Sequence, residues 1–291
     1  YMDGMQHTSD VFYKENNLED IILQSKPGES FSIDDLENVK KIDNVNDAER
    51  KMSVMALTND NKTLLLNLIE TNNISKLYAL NGDSFDYNKH GVWLDNYYAL
   101  SNDLKIGDTI LVKYEDISLE EPILGLINVP DHLYDVRDSS ELYPNHEEFG
   151  FAYISAKEFP DDKLVFSNIM VDIDDRDKKD KTKSEIEDNI SSVLAIFNVE
   201  DTASYTTYQG EIDEGKTYVG VFSGLFLFIA MLSVITTMTR VVKKQRIQIG
   251  TLKALGFKDY RILLHYKNHV LIFFTLFAFF SNLCIFEQFR I

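Results

Sequence analysis

The stretch Thr217–Thr239, TYVGVFSGLFLFIAMLSVITTMT, decides the class of this chain, because it runs for 23 residues without a charge. At about 1.5 Å per residue, a helix of about 20 residues crosses a hydrocarbon core of about 30 Å. A buried helix of a large soluble domain is the competing reading, but such helices seldom run so far uncharged. A second uncharged run, Val270–Phe286, has 17 residues, six of them Phe, and reads as a second, shorter crossing.

Charge divides around these runs. The 291 residues carry a net charge of −18, yet the part from Arg240 onward holds nine Lys/Arg against two Asp/Glu. The residues before it carry −25, which repels phosphate and disfavours a nucleic-acid-binding body. Between the two apolar runs, Arg240–His269 has one acid, Asp259, among its many basic residues. Short loops rich in Lys and Arg stay cytoplasmic. The expected layout is an outer domain over residues 1–216, a span over 217–239, a cytoplasmic connector over 240–269 and a second span over 270–286. The basic residues of the connector also suit lipid headgroups. One cysteine, Cys284, excludes an intrachain disulfide and Cys-based zinc sites. Tyr1–Glu15 has no apolar core of signal-peptide length.

The outer residues alternate between short β-like runs and amphipathic helices, which indicates an α+β fold with a β-rich insertion around 75–155. Strands are predicted at Asp20–Ser25, Ala48–Leu57, Lys62–Ile69, Leu104–Tyr114, Ile123–Val129, Phe149–Ile154 and Leu164–Asp172. A helix is predicted over Ile33–Ile42, capped by Ser32, with Leu36, Val39 and Ile42 on one face. A second is predicted over Lys183–Phe197, from the spacing of Ile186, Ile190, Leu194 and Phe197. Thr202–Gln209 is predicted as a closing β run.

Chemical motifs are scarce. There is no Walker loop, no G-x-S-x-G elbow and no H-E-x-x-H. Asp172–Asp180 fails as a calcium loop, because Asp177 stands where Gly is needed and Lys183 where the bidentate Glu belongs. It is predicted to be a solvated loop. His265 and His269 are one helical turn apart, without a third ligand nearby. The aromatic run Tyr87–Tyr98 reads as core of a strand and helix. No residue is predicted to be catalytic and no cofactor is expected, so the chain does not read as an enzyme.

The connector carries the most information. A helix starting at Arg240 places Ile247, Ile249, Leu252 and Leu255 on one broad apolar side, and Gly256 supplies a stop. Such a helix lies on a membrane or enters a partner's groove. The stretch Gln245–Gly256, QRIQIGTLKALG, directly after an apolar run, resembles the signature loop of FtsX-like permeases, the transmembrane subunits of MacB-type ABC transporters. Gly250, Lys253, Ala254, Leu255 and Gly256 match that pattern, while Gln248 stands where the family places an acid. Tyr13–Ser25, Leu104–Val112 and Phe149–Ser155 are similar to the MacB-like periplasmic core domain. The resemblance implies a multi-pass protein of the bacterial cell membrane with residues 1–216 outside. It implies a first span before Tyr1 and a final span beyond Ile291, so the chain reads as a fragment or a shortened copy. It also implies a cytoplasmic ABC ATPase as partner, gripping Gln248–Gly256, and pairing with a second copy or a related permease. ATP-driven movement of the outer domain would then act on a peptide, lipid or lipoprotein. The alternative is a membrane-anchored binding or sensor domain with no ATPase partner.

Overall fold

The computed structural model describes residues 2–137, 141, 143–261 and 264. Two units divide the chain, Tyr1–Gly215 and Lys216–Ile291. The first contains α1 (Met2–Glu15), β1 (Ile21–Ser25), α2 (Ile33–Lys40), β2 (Val45–Thr58), β3 (Thr63–Ile69), β4 (Tyr78–Gly82), β5 (Val92–Asp95) and α3 (Asn96–Ser101). It continues with β6 (Thr109–Tyr114), β7 (Ile117–Asn128), β8 (Phe149–Ser155), β9 (Asn168–Ile173), α4 (Lys179–Asn189) and β10 (Val193–Asn198). Helix α5 (Ala203–Lys244) follows, then α6 (Arg246–Ala254) in the second unit. The mixed α+β fold expected of the outer residues is present.

The strands form one sheet in the order β10-β1-β9-β2-β3-β8-β5-β7-β4, with β6 paired to both β2 and β7. The pairings β2–β3–β8–β5–β7–β6–β2 return to their start, so six strands close into a barrel. Closure removes free edges from these six strands. Leu64, Leu66 and Leu68 alternate along β3 into the barrel core with Leu94, Ile110, Ile123 and Ile154. Each such side chain contributes about 1.5–3 kcal/mol on burial. Gly150 on β8 is required by close approach, because a Cβ there would lie 2.5 Å from the Tyr98 Cβ.

The β1–β9 half has its own core, where Ile21, Leu23, Ile169 and Val171 pack with Val39 of α2 and Ile186 of α4. Ser32 caps α2 as its sequence implies. The Ser32 hydroxyl accepts from the Asp35 N–H at 3.0 Å, and the Asp35 carboxylate accepts from the Ser32 N–H at 2.9 Å. Arg50 of β2 joins this half to the barrel. It donates both to Glu70 and to the Phe31 carbonyl, and lies 4.2 Å from the Phe166 ring centre.

Three local expectations are corrected. The helix predicted over Lys183–Phe197 ends at Asn189, and Val193–Asn198 is strand β10, paired antiparallel with β1. Thr202–Gln209 is not a strand, since α5 starts at Ala203 and takes the rest of it as its first turns. The Asp172–Asp180 stretch is not one loop, since β9 runs to Ile173 and α4 starts at Lys179, with a 3-10 turn, Arg176–Lys178, between them. Within the aromatic run, Trp93 and Tyr98 are core residues as predicted, while Tyr97 is exposed.

Candidate functional site

Among the described residues α5 is the one helix long and apolar enough to cross a membrane, and its most apolar window is 0% buried. Among the described residues nothing covers Phe222, Phe226, Phe228 or Ile235, which speaks against the buried-helix reading. Lys243 and Lys244 close its last turn. The helical hydrogen bonds pass through Gln245 into α6, from Gln245 N–H to the Val241 carbonyl and from Ile249 N–H to the Gln245 carbonyl, both at 3.0 Å.

The stop at Gly256 is built as the sequence suggests. Gly256 takes φ +88°, open to glycine at little cost. Its N–H donates to the Lys253 carbonyl at 3.0 Å, and the Phe257 N–H donates to the Leu252 carbonyl at 3.1 Å. These two bonds define a Schellman motif, which fixes Leu255 as the C-cap. Lys253 pairs with Asp259 at 2.8 Å beyond the turn.

The predicted residues therefore lie within one short element. Gln248, Gly250, Lys253 and Ala254 are on α6, Leu255 caps it, and Gly256 turns the chain away. Gln248, Leu252 and Leu255 follow one stripe at i, i+4 and i+7. Ile247 is 85% exposed and Leu255 71% exposed. A Cβ added at Gly250 would meet nothing within 4 Å, so the fold of the chain itself does not demand glycine there. Among the described residues nothing covers Ile247, Leu252 or Leu255, and Gly250 has room around it.

Residues 220–286 match the FtsX-like permease C-terminal family. The matched segment contains α6 and the Gly256 turn of this FtsX-like region. The run Val270–Phe286 and the pair His265 and His269 lie outside the described residues. No curated protein matches the chain. The chain is similar to the extracellular domain of YknZ, a noncanonic ABC-type transporter from Gram-positive bacteria, at 16% identity and TM-score 0.42, covering 62% of this chain and 99% of that one. It is also similar to the periplasmic region of MacB from Actinobacillus actinomycetemcomitans, at 13% identity and TM-score 0.41, covering 69% of this chain and 95% of that one.

Outside the matched residues 220–286, the first unit contains a buried charge network that sequence reading missed. Lys51 on β2 contacts Asp131 at 2.7 Å, and His132 Nδ1 contacts Asp135 at 2.6 Å. Glu19 accepts from the Ser75 hydroxyl beside them. Burial raises the Glu19 pKa, and the nearby Lys51 opposes that effect. Burial alone would lower the His132 pKa, but the Asp131 and Asp135 carboxylates outweigh it and push it up to about 9. No reacting group accompanies these residues, and among the described residues no cluster of three or more His, Cys, Asp or Glu is arranged for a metal.

A pH dependence follows from His132. Its folded pKa of about 9 lies above the unfolded value of 6.5, so the folded state holds the proton more tightly. The stabilisation is complete below pH 6.5 and is lost as pH rises through about 9. Thermal melting of the protein at two pH values, about 6.5 and about 9.5, is expected to show a lower midpoint at the higher one. His132→Asn should flatten that difference.

Proposed function

We propose that the chain is the permease subunit of a MacB/FtsX-type ABC transporter in a bacterial cell membrane. Residues 1–216 form its extracytoplasmic MacB-like domain, 217–239 a membrane span, 240–269 a cytoplasmic connector and 270–286 a second span. A separate cytoplasmic ABC ATPase docks on Gln248, Gly250, Lys253, Ala254, Leu255 and Gly256. Closure of the ATPase dimer pulls on the span and moves the outer domain, which works beside a second copy or a related permease. The cargo is a peptide, lipid or lipoprotein exported or extracted from the membrane, and lipid contacts the basic connector.

The observation that carries this reading is the uncovered apolar stripe of α6 inside the segment that matches the FtsX-like family. A stripe ending in a fixed turn suits insertion into a partner's groove. The lysines around it place a positive rim on the cytoplasmic side, in accord with the positive-inside rule. Gly250 lets a partner backbone approach closely.

The Gly256 turn gives a direct test. Proline fixes φ near −65° and has no N–H, so Gly256→Pro removes both the left-handed residue and the donor to Lys253. Purified full-length permease with its ATPase, in lipid, is expected to lose stimulated ATP hydrolysis by about tenfold or more, while membrane insertion is retained. Stimulation equal to wild type would overturn the docking assignment.

A further inference from the structure

Strand β10 stands at one end of the sheet order and, among the described residues, pairs with β1 alone. One side of its backbone therefore presents N–H and C=O groups that no other described strand meets. Edge strands are usually guarded by a charge, a proline or a bulge. Val193–Asn198, VLAIFN, has neither a charge nor a proline, and its register shift lies at the Val193 end. Residues 195–198 then run in unbroken register against residues 21–24. Leu194 is 54% exposed and Phe197 43% exposed along this edge. We propose that β10 takes an extended segment of another protein as an added strand, one that alternates apolar and basic residues. The inference goes beyond the docking at α6, and it holds whether or not an ATPase binds there.

The two faces of β10 set that alternation. Ile196 packs with the core beneath α4 and stands opposite Leu23 of β1. Successive strand side chains point to opposite faces, so Phe197 lies on the far one. An added strand lays one set of its side chains beside Phe197, where apolar residues remove that ring from water. The other set lies on the α4 side. There Lys179 reaches Glu200 at 2.9 Å, and Lys183 reaches the Asn198 amide oxygen at 3.3 Å. Past the far end of the helix, the Val193 N lies 3.4 Å from the Ile190 carbonyl oxygen. Helix α4 thus runs antiparallel to β10, and Glu187 continues the stripe of Lys179 and Lys183 by one more turn. Glu187 is exposed beside the strand, and among the described residues no cation pairs with it.

Charge selects the occupant. A second copy added across a two-fold axis at the middle of β10 sets the two Glu187 carboxylates near one another, and like charges repel. The residues before Arg240 also carry −25, which opposes self-pairing and draws a basic segment. In the added strand, backbone hydrogen bonds to β10 supply affinity and the alternate side chains supply selection. A Lys or Arg beside Glu187 completes an ion pair, and an acidic residue there is rejected.

Fluorescence anisotropy on the full chain, one copy per phosphatidylcholine nanodisc, tests the proposal with a labelled peptide of three Val-Lys repeats. The controls are empty nanodiscs, a peptide of three Val-Glu repeats, and the Val-Lys peptide with every backbone amide N-methylated. The Val-Lys peptide is expected to bind about tenfold tighter than either control peptide, and to slow amide exchange over residues 193–198. Glu187→Lys and Phe197→Ser change exposed side chains, so the fold is retained while affinity falls about three- to tenfold in each. Equal binding of the N-methylated peptide would show attraction to net charge only and overturn the proposal. Unslowed exchange at residues 193–198, or unchanged affinity in Glu187→Lys, would overturn it as well. Exchange there that is slower in nanodiscs holding two copies than in those holding one, without peptide, would assign the edge to a second copy instead.

Discussion

On the docking proposed above, Leu255→Asp is expected to abolish recovery of a cytoplasmic ATPase with this chain. Leu255 is exposed and caps α6 in ordinary right-handed geometry, so among the described residues no packing is lost when the residue changes. In a docked groove the same substitution forfeits about 1.5–3 kcal/mol of apolar burial. It also places a carboxylate where no water reaches, at a further cost of several kcal/mol. With about 1.4 kcal/mol for each tenfold in affinity, the complex should weaken by roughly three orders of magnitude. Co-purification of full-length protein with its ATPase, wild type against variant, reads this directly. Equal recovery in both would remove α6 as the docking element.

Lys51→Met should have the largest effect on the first unit. Lys51 is the cation that meets the buried Asp131 and Glu19 carboxylates, which outweigh its own burial and raise its pKa. Removing one partner of a buried pair and leaving the other charged costs about 3–5 kcal/mol. For a unit of this size that corresponds to a drop of about 6–20 °C in melting temperature. Asp131→Asn added to Lys51→Met removes the stranded charge and should recover part of the loss. A melting point within about 2 °C of wild type for Lys51→Met would show that the network does not hold the fold.

Where local chemistry decided the structure, the residues could be read directly. Ser32 announced the start of α2, the uncharged run announced the membrane-length part of α5, and Gly256 announced the end of α6. The failures came where distant pairing overruled local pattern. Ile186, Ile190, Leu194 and Phe197 keep a helical spacing, but Val193–Asn198 finds a better partner in β1, with Ile21 opposite Asn198 and Leu23 opposite Ile196. Thr202–Gln209 is rich in Thr and Tyr and so resembles a strand. In α5, the Thr206 hydroxyl instead donates to the Thr202 carbonyl at 2.8 Å, which satisfies it inside the helix. The charge network left no sequence signal, because Lys51 and Asp131 stand 80 positions apart and meet only once the barrel has closed.

The 14-residue strand β2 pairs along Val45–Lys51 with β9 and at Leu57–Thr58 with β6, so one uninterrupted stretch of backbone belongs to both halves of the outer unit. No hinge separates the α-covered half from the barrel along this strand. Slipping either half by one residue would turn the side chains of β2 inside out in the other. Local loosening, which proteins elsewhere confine to one supersecondary block, here meets a strand whose pairings belong to both halves at once.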